Sequence, residues 1–113
     1  MAAYVELYLD QGTTFNSNVT LTDDITNAPL NITGYTFRSQ MRRSYYSANA
    51  TANIVCTIVS ANTGEMLMNM SANTTVNIKA GRYLFDLEAV DTGGAVTRVI
   101  EGIITVTPKI TRL

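Results

Sequence analysis

Apolar and polar residues alternate through most of this 113-residue chain. That pattern is typical of strands that have one buried face and one face in water. The clearest example is residues 34–44, where the odd-numbered residues are mostly apolar and the even-numbered residues are polar and positively charged. We call each of these alternating sets a parity. The two sets are Tyr35, Phe37, Ser39 and Met41 against Thr36, Arg38, Gln40 and Arg42. We therefore predict a strand whose charged side faces solvent.

Six further segments carry a strand pattern: residues 4–9, 14–22, 53–60, 65–70, 82–90 and 95–107. Gly, Asn and Asp mark turns between them, most clearly at residues 10–12, 61–64 and 91–94. Residues 71–80 are the candidate for helix. Ser71 suits the cap, but the β-branched residues that follow favour only about one turn. We expect Val76 and Ile78 to be buried there.

Two strands raise specific questions of packing. Met66, Met68 and Met70 share one parity, which suits either an adaptable recognition patch or flexible core filling, and we favour the core. In the last strand Arg98 has the parity of the apolar residues. We therefore predict a bulge at residues 101–102, where the inward parity would change.

About seven strands with little helix predict one domain over residues 1–113, an antiparallel β-sandwich of immunoglobulin-like type. The likeness to immunoglobulins is architectural, because the chain has one Cys and no Trp. In such a sandwich the strands at 34–44 and 82–90 can be neighbours. We then expect ion pairs of Arg38 or Arg42 with Asp86 or Glu88, each worth a few tenths of a kcal/mol, about 0.2–0.5.

The composition argues against catalysis and cofactors. The chain has no His, so neither a Ser-His-Asp nor a Cys-His arrangement can be assembled, and we interpret Cys56 as a small buried residue. We predict that the protein is not an enzyme and binds no metal or cofactor. A net charge of −1 argues against nucleic acid as a partner. The sequence contains no run of about 20 apolar residues, so we predict no membrane span.

Tyrosines and basic residues are the candidates for contact with a partner. The set is Tyr4, Tyr8, Arg42, Arg43, Tyr45, Tyr46, Lys109 and Arg112. Tyr45 and Tyr46 suit either binding anchors on an exposed loop or a lid packed on the core, and we favour the lid. As anchors they also suit a glycan-binding module, although the chain lacks Trp. If a partner binds, we expect its contact to begin at Arg43 and continue into this loop.

Four stretches carry a family resemblance: LDQGTTFNSNVTLTDD, PLNITGYTFRSQMRRSYYS, GRYLFDLEAVD and TRVIEGIITVTPKITR. In these the chain resembles small virion proteins of tailed phages of marine bacteria and cyanobacteria, and it is similar to the N-terminal sandwich of phage baseplate upper proteins. The resemblance implies a structural protein of the virion that is assembled in the host bacterial cytoplasm. Its partners would be other virion proteins or copies of itself. A capsid decoration or head-accessory role is favoured, with a tail or baseplate role as the alternative.

Overall fold

A computed structural model describes residues 3–23 and 25–110 as an all-β fold with little helix. One helical turn, α1 (Ala72–Thr75), lies between the fifth and sixth strands. The seven strands are β1 (Ala3–Asp10), β2 (Phe15–Thr20), β3 (Thr36–Arg42), β4 (Ala52–Ser60), β5 (Glu65–Met70), β6 (Gly81–Val90) and β7 (Val96–Thr107). The predicted all-β class is confirmed, and each predicted strand overlaps an observed one.

The strands are hydrogen-bonded in the order β1-β7-β6-β3-β4-β5-β2. β4 connects the two halves, because residues 52–54 pair with β3 and residues 55–60 pair with β5. The sheet therefore turns back on itself through β4 and is nearly closed. Pairing is antiparallel except between β1 and β7, which run parallel and are an exception to the predicted arrangement. The immunoglobulin-like sandwich stays a prediction.

Both halves of the sheet contribute side chains to one core. The methionine face of β5 is buried, so the prediction of core filling for Met66, Met68 and Met70 is confirmed. These side chains belong to the same cluster as Phe85 and Leu87 of β6. The alternation in the sequence explains this, since every second residue of each strand points to the same side.

The inward parity of β7 changes at Val99, so the predicted position of the bulge at residues 101–102 was wrong. Leu87 pairs with Ile100 and Glu88 with Arg98, which leaves Val99 as the extra residue. The bulge turns Arg98 outward while Ile104 is buried. Arg98 therefore requires a bulge in β7, as predicted, and Gly102 instead lies where the backbone of β1 passes close to β7.

The helical turn α1 fastens the connection between β1 and β2. The Ser71 hydroxyl oxygen accepts a hydrogen bond from the Thr74 backbone N–H at 3.3 Å, which confirms the predicted cap. Thr75 is fully buried, and its hydroxyl donates to the Thr13 carbonyl oxygen at 2.7 Å. Ile78 is buried as predicted. Val76 is exposed, contrary to prediction, since Thr75 takes the inward position of the turn.

Candidate functional site

The solvent side of β1, β7, β6 and β3, which we call the outer face, brings many of the candidate residues together. Paired residues on neighbouring strands point to the same side, so the register arranges the side chains in rows. One row is Tyr4, Glu101, Asp86, Gln40 and Asn53, which reaches the first residues of β4. The next row is Glu6, Ile103, Leu84 and Arg42.

Ion pairs link three strands of the outer face. Arg38 Nε lies 2.7 Å from Glu88 Oε1, which confirms the predicted pairing between β3 and β6. Arg98 of β7 adds two contacts, with its Nε 3.3 Å from Asp86 Oδ2 and its Nη1 3.1 Å from Glu101 Oε2. These side chains are partly exposed, so each pair contributes only about 0.2–1 kcal/mol.

The other predicted partner, Arg42, makes neutral contacts instead of an ion pair. Its Nη1 donates to the Ser47 carbonyl oxygen at 3.0 Å, and its Nη2 donates to Gln40 Oε1 at 2.9 Å. The register explains the difference, because Arg42 lies opposite Leu84 rather than an acid. Arg42 therefore holds the loop that follows β3 against the outer face.

A trough of about 640 Å³ lies on the outer face between β7, β6, β3 and the start of β4. A volume of this size lies within the roughly 300–1,000 Å³ of small-ligand sites. Its walls combine charged, amide, apolar and aromatic groups. Three arginines and three carboxylates line it: Arg38, Arg42, Arg98, Asp86, Glu88 and Glu101. Uncharged lining residues include Gln40, Asn53, Val55, Leu84 and Tyr45.

Asp86 lies in the trough wall and is more buried than a surface carboxylate. Burial raises the pKa of the Asp86 carboxyl above its usual range, and the charge of Glu88 acts in the same direction. Arg98 opposes both through its charge and its hydrogen bond, and Arg42 opposes them more weakly through its charge. Burial disfavours the charged form of such a carboxylate. Hydrogen bonds donated by a ligand therefore stabilise it more than they would stabilise a fully solvated carboxylate.

Four tyrosines of the predicted contact set are exposed. Tyr4 and Tyr8 project from β1 onto the outer face and are 60% and 72% exposed. Tyr45 lines the trough and is 74% exposed, whereas Tyr46 lies outside the trough at 95%. The favoured prediction of a lid over the core was therefore wrong. The Ser47 hydroxyl accepts a hydrogen bond from the Ser44 N–H at 3.1 Å, so the loop is a local turn that points its rings outward.

No family model matches the chain, and no curated protein matches it either. The resemblance to phage virion proteins therefore rests on the four sequence stretches quoted above. In residues 3–23 and 25–110, no group of three His, Cys, Asp or Glu side chains is placed to hold a metal ion. In the same part of the chain, no helix has the length and apolar character needed to cross a lipid bilayer.

The remaining basic candidates pack against their own chain. The Arg43 guanidinium lies over the ring of Tyr83 at 5.0 Å from its centroid, a cation–π contact near the start of β6. Lys109 is half-buried; its side chain passes Gly12, and its backbone N–H donates to Gln11 Oε1 at 3.1 Å. Arg112 lies outside the described residues. The outer face thus collects Tyr4, Tyr8, Arg42 and Tyr45 from the predicted set.

The sequence did not single out the trough, and it placed only some of its parts, since Tyr45 was expected to pack on the core. Asp86 and Glu88 were expected on a solvated strand face, and that position is correct. Alternation also puts Gln40 outward, but it does not show that the sheet is concave there. The signal that was available is the opposite charge of the facing strands, which is what predicted the pairing of β3 with β6.

Cys56 offers a test of local burial. Its thiol is half-buried, and burial raises the pKa of Cys56 from 9.0 to about 11. Two pKa units mean about a hundredfold less thiolate, and the thiolate is the reactive form. We expect alkylation by iodoacetamide at pH 8 to be at least about tenfold slower in the native protein than in guanidinium chloride. Mass spectrometry of timed samples would measure both rates, and equal rates would contradict the burial.

The same shift fixes the sign of a pH effect. The folded state holds the Cys56 proton more tightly than the unfolded state, so unfolding is accompanied by proton release at high pH. The contribution of this group to the free energy of unfolding is therefore unchanged below about pH 9 and falls as pH rises from there towards 11. A Cys56→Ser variant, which does not titrate in this range, should lose this part of the pH dependence.

Proposed function

We propose that this protein is a non-enzymatic structural component of a phage virion. It binds a neighbouring virion protein, or a second copy of itself, through the part of the outer face around Tyr4 and Tyr8. The observation that carries the proposal is the exposure of these two rings on one face of β1. Buried aromatic anchors dominate the binding energy of many protein interfaces, and Tyr is enriched among them.

The surroundings of these rings resemble a protein interface in composition. Residues four apart on a strand lie about 13 Å from each other, since each residue advances the strand by about 3.3 Å. The row between Tyr4 and Tyr8 contains Ile103, which is half-buried. Charged side chains lie among these groups, since Glu6 is on β1 between the two rings and Arg82 is in the row of Tyr8. Exposed tyrosines next to a partly buried apolar side chain and an arginine are a combination that protein interfaces also contain.

The position in the particle is part of the proposal. The sequence resemblance and the lack of a fibre repeat support a capsid decoration or head-accessory protein. A tail or baseplate component is the alternative, supported by the similarity to baseplate upper proteins. Both roles depend on shape and contact surface, and neither requires a catalytic group.

Imaging of the intact particle by cryo-electron microscopy would test the proposal directly. We expect density for the seven-stranded fold at repeated positions, with Tyr4 and Tyr8 covered by a neighbouring protein. Density on the head would support the decoration role, and density on the tail would support the alternative. Absence of the protein from purified virions by mass spectrometry would contradict the virion role itself.

A pair of variants would test the face separately from the role. The double variant Tyr4→Ala/Tyr8→Ala should lower incorporation into particles at least tenfold, since each lost anchor costs about 1–2 kcal/mol of binding. Tyr46→Ala is the matched control, because this ring is more exposed still and lies on the loop after β3 rather than on β1. Equal incorporation of the double variant and the control would overturn the assignment of this face while leaving the virion role open to the imaging test.

A further inference from the structure

We propose that the trough on the outer face is a carbohydrate site, which takes an uncharged oligosaccharide with Tyr45 as its stacking platform. The trough extends from Glu101 of β7, the residue that pairs with Tyr4, to Tyr45, and neither Tyr4 nor Tyr8 lines it. The proposal does not depend on the virion role. It rests on three features of the trough: its cancelling charges, its adjacent amide groups and the position of one tyrosine.

The charges of the trough favour a ligand without net charge. Three arginines and three carboxylates line it, and Arg38 and Arg98 already pair with acids. A charged ligand, whether positive or negative, would be repelled by as many of these side chains as would attract it. Hydroxyl groups, by contrast, both donate to carboxylates and accept from guanidinium groups. An uncharged polyhydroxyl ligand can therefore bind without breaking the ion pairs.

Planar polar groups lie side by side on the trough floor. Gln40 Nε2 donates to Asn53 Oδ1 at 2.9 Å, and Gln40 Oε1 accepts from Arg42. This arrangement leaves the Asn53 amide N–H groups for a ligand, and Gln40 separates them from the Asp86 carboxylate, which lies two strands away in the same cross-strand row. Neighbouring strands are about 4.8 Å apart. Successive rings of an extended oligosaccharide can thus meet a donor or acceptor on each strand that they cross.

Tyr45 supplies the apolar surface that a sugar ring needs. The ring is largely exposed and forms part of the trough wall. The face of an aromatic ring is electron-rich, so it attracts the weakly positive C–H groups on the flat side of a pyranose. Tyr46 has the same chemistry one residue further along but lies outside the trough. The chain therefore contains its own matched control.

The test is a titration of the ¹⁵N-labelled full-length protein followed by two-dimensional NMR. The probes are neutral hexasaccharides, namely maltohexaose, cellohexaose, xylohexaose and N-acetylchitohexaose. We expect saturable shifts from at least one of them, centred on the backbone amides of Gln40, Asn53 and Asp86. Tyr45→Ala should weaken that binding at least about tenfold, the effect of losing one stacking contact in a largely polar site. Tyr46→Ala should change it less than about twofold.

Each result decides the proposal. Saturable shifts in the trough that are lost with Tyr45→Ala and kept with Tyr46→Ala support it. Absence of saturable shifts from all four probes, shifts centred elsewhere, or equal loss with both tyrosine variants would overturn it. Tighter binding of a sulfated hexasaccharide than of the neutral probes would overturn the proposal that the ligand is uncharged. The Tyr4→Ala/Tyr8→Ala variant should bind as the wild type does, which separates this site from the proposed virion contact.

Discussion

Replacing Gly102 by alanine is expected to lower the free energy of unfolding by at least about 4 kcal/mol, a loss seen for few single substitutions. Gly102 has an ordinary backbone φ, so the effect is steric. A Cβ atom there would overlap the carbonyl oxygen of Val5 and lie 2.8 Å from its carbonyl carbon. Backbone atoms cannot swing aside as a flexible side chain does, so β1 would have to separate from β7.

Separation of β1 would uncover the core. Leu9 is buried, and Val5 and Leu7 pack against the same cluster. Denaturation by urea, followed by circular dichroism, measures the loss. Gly93→Ala is the control, since among the described residues a Cβ there meets only the Asp91 carboxylate at 3.5 Å, and it should change stability by less than about 0.5 kcal/mol. Similar midpoints for Gly102→Ala and the control would refute the close approach of β1.

Gly64→Ala is expected to cost about 2–5 kcal/mol, which combines two penalties. Gly64 has φ +72°, and a residue with a Cβ pays about 1–2 kcal/mol in that region. The added Cβ would also collide with the Leu21 carbonyl oxygen and lie 2.8 Å from that of Leu30. Overpacking of this kind costs about 1–3 kcal/mol more. The site matters because the Gly64 carbonyl oxygen also accepts from the Leu21 N–H at 2.8 Å.

Gly94→Ala separates the two penalties. Gly94 has φ +88°, but a Cβ there meets no atom within 4 Å among the described residues. It should therefore lose only the conformational part, about 1–2 kcal/mol. The difference between the two variants in denaturant midpoint isolates the clash with the carbonyl oxygens. If both variants lose the same free energy of unfolding, the turn at Gly64 relaxes around the added Cβ atom. The clash with the two carbonyl oxygens then makes no measurable contribution.

The alternation of residue types was sufficient to predict the strands and their faces. It placed Met66, Met68 and Met70 in the core. Opposite charges on two outward faces predicted ion pairs of Arg38 or Arg42 with Asp86 or Glu88, of which Arg38 with Glu88 forms. The positions of bulges and of close backbone contacts are harder to predict. Alternation shows which side of the sheet a residue faces, but it does not show which other segment approaches that residue. A glycine in a strand signals either a bulge or a close approach of another backbone. At Gly102 we predicted the first, and the structure shows the second.

The candidate site was predictable in its parts and not as a surface. Outward parity is enough to place Tyr4, Tyr8 and Arg42 on one face once the strands are paired. The trough also depends on the curvature of the sheet and on the turn that follows Arg42, which directs Tyr45 to the trough wall. That turn is held by local hydrogen bonds of Ser44 and Ser47, residues that are ordinary in any loop.

The parallel pairing of β1 with β7 has a mechanical consequence. The start of β1 and the end of β7 lie at opposite ends of the pair, with Ala3 beside Ile100 and Asp10 beside Thr107. Tension applied at those two points pulls the strands lengthwise past each other. All eight paired positions then carry the load together instead of opening one after another. The fold is therefore built to resist extension along this axis far better than peeling of β1 from the side.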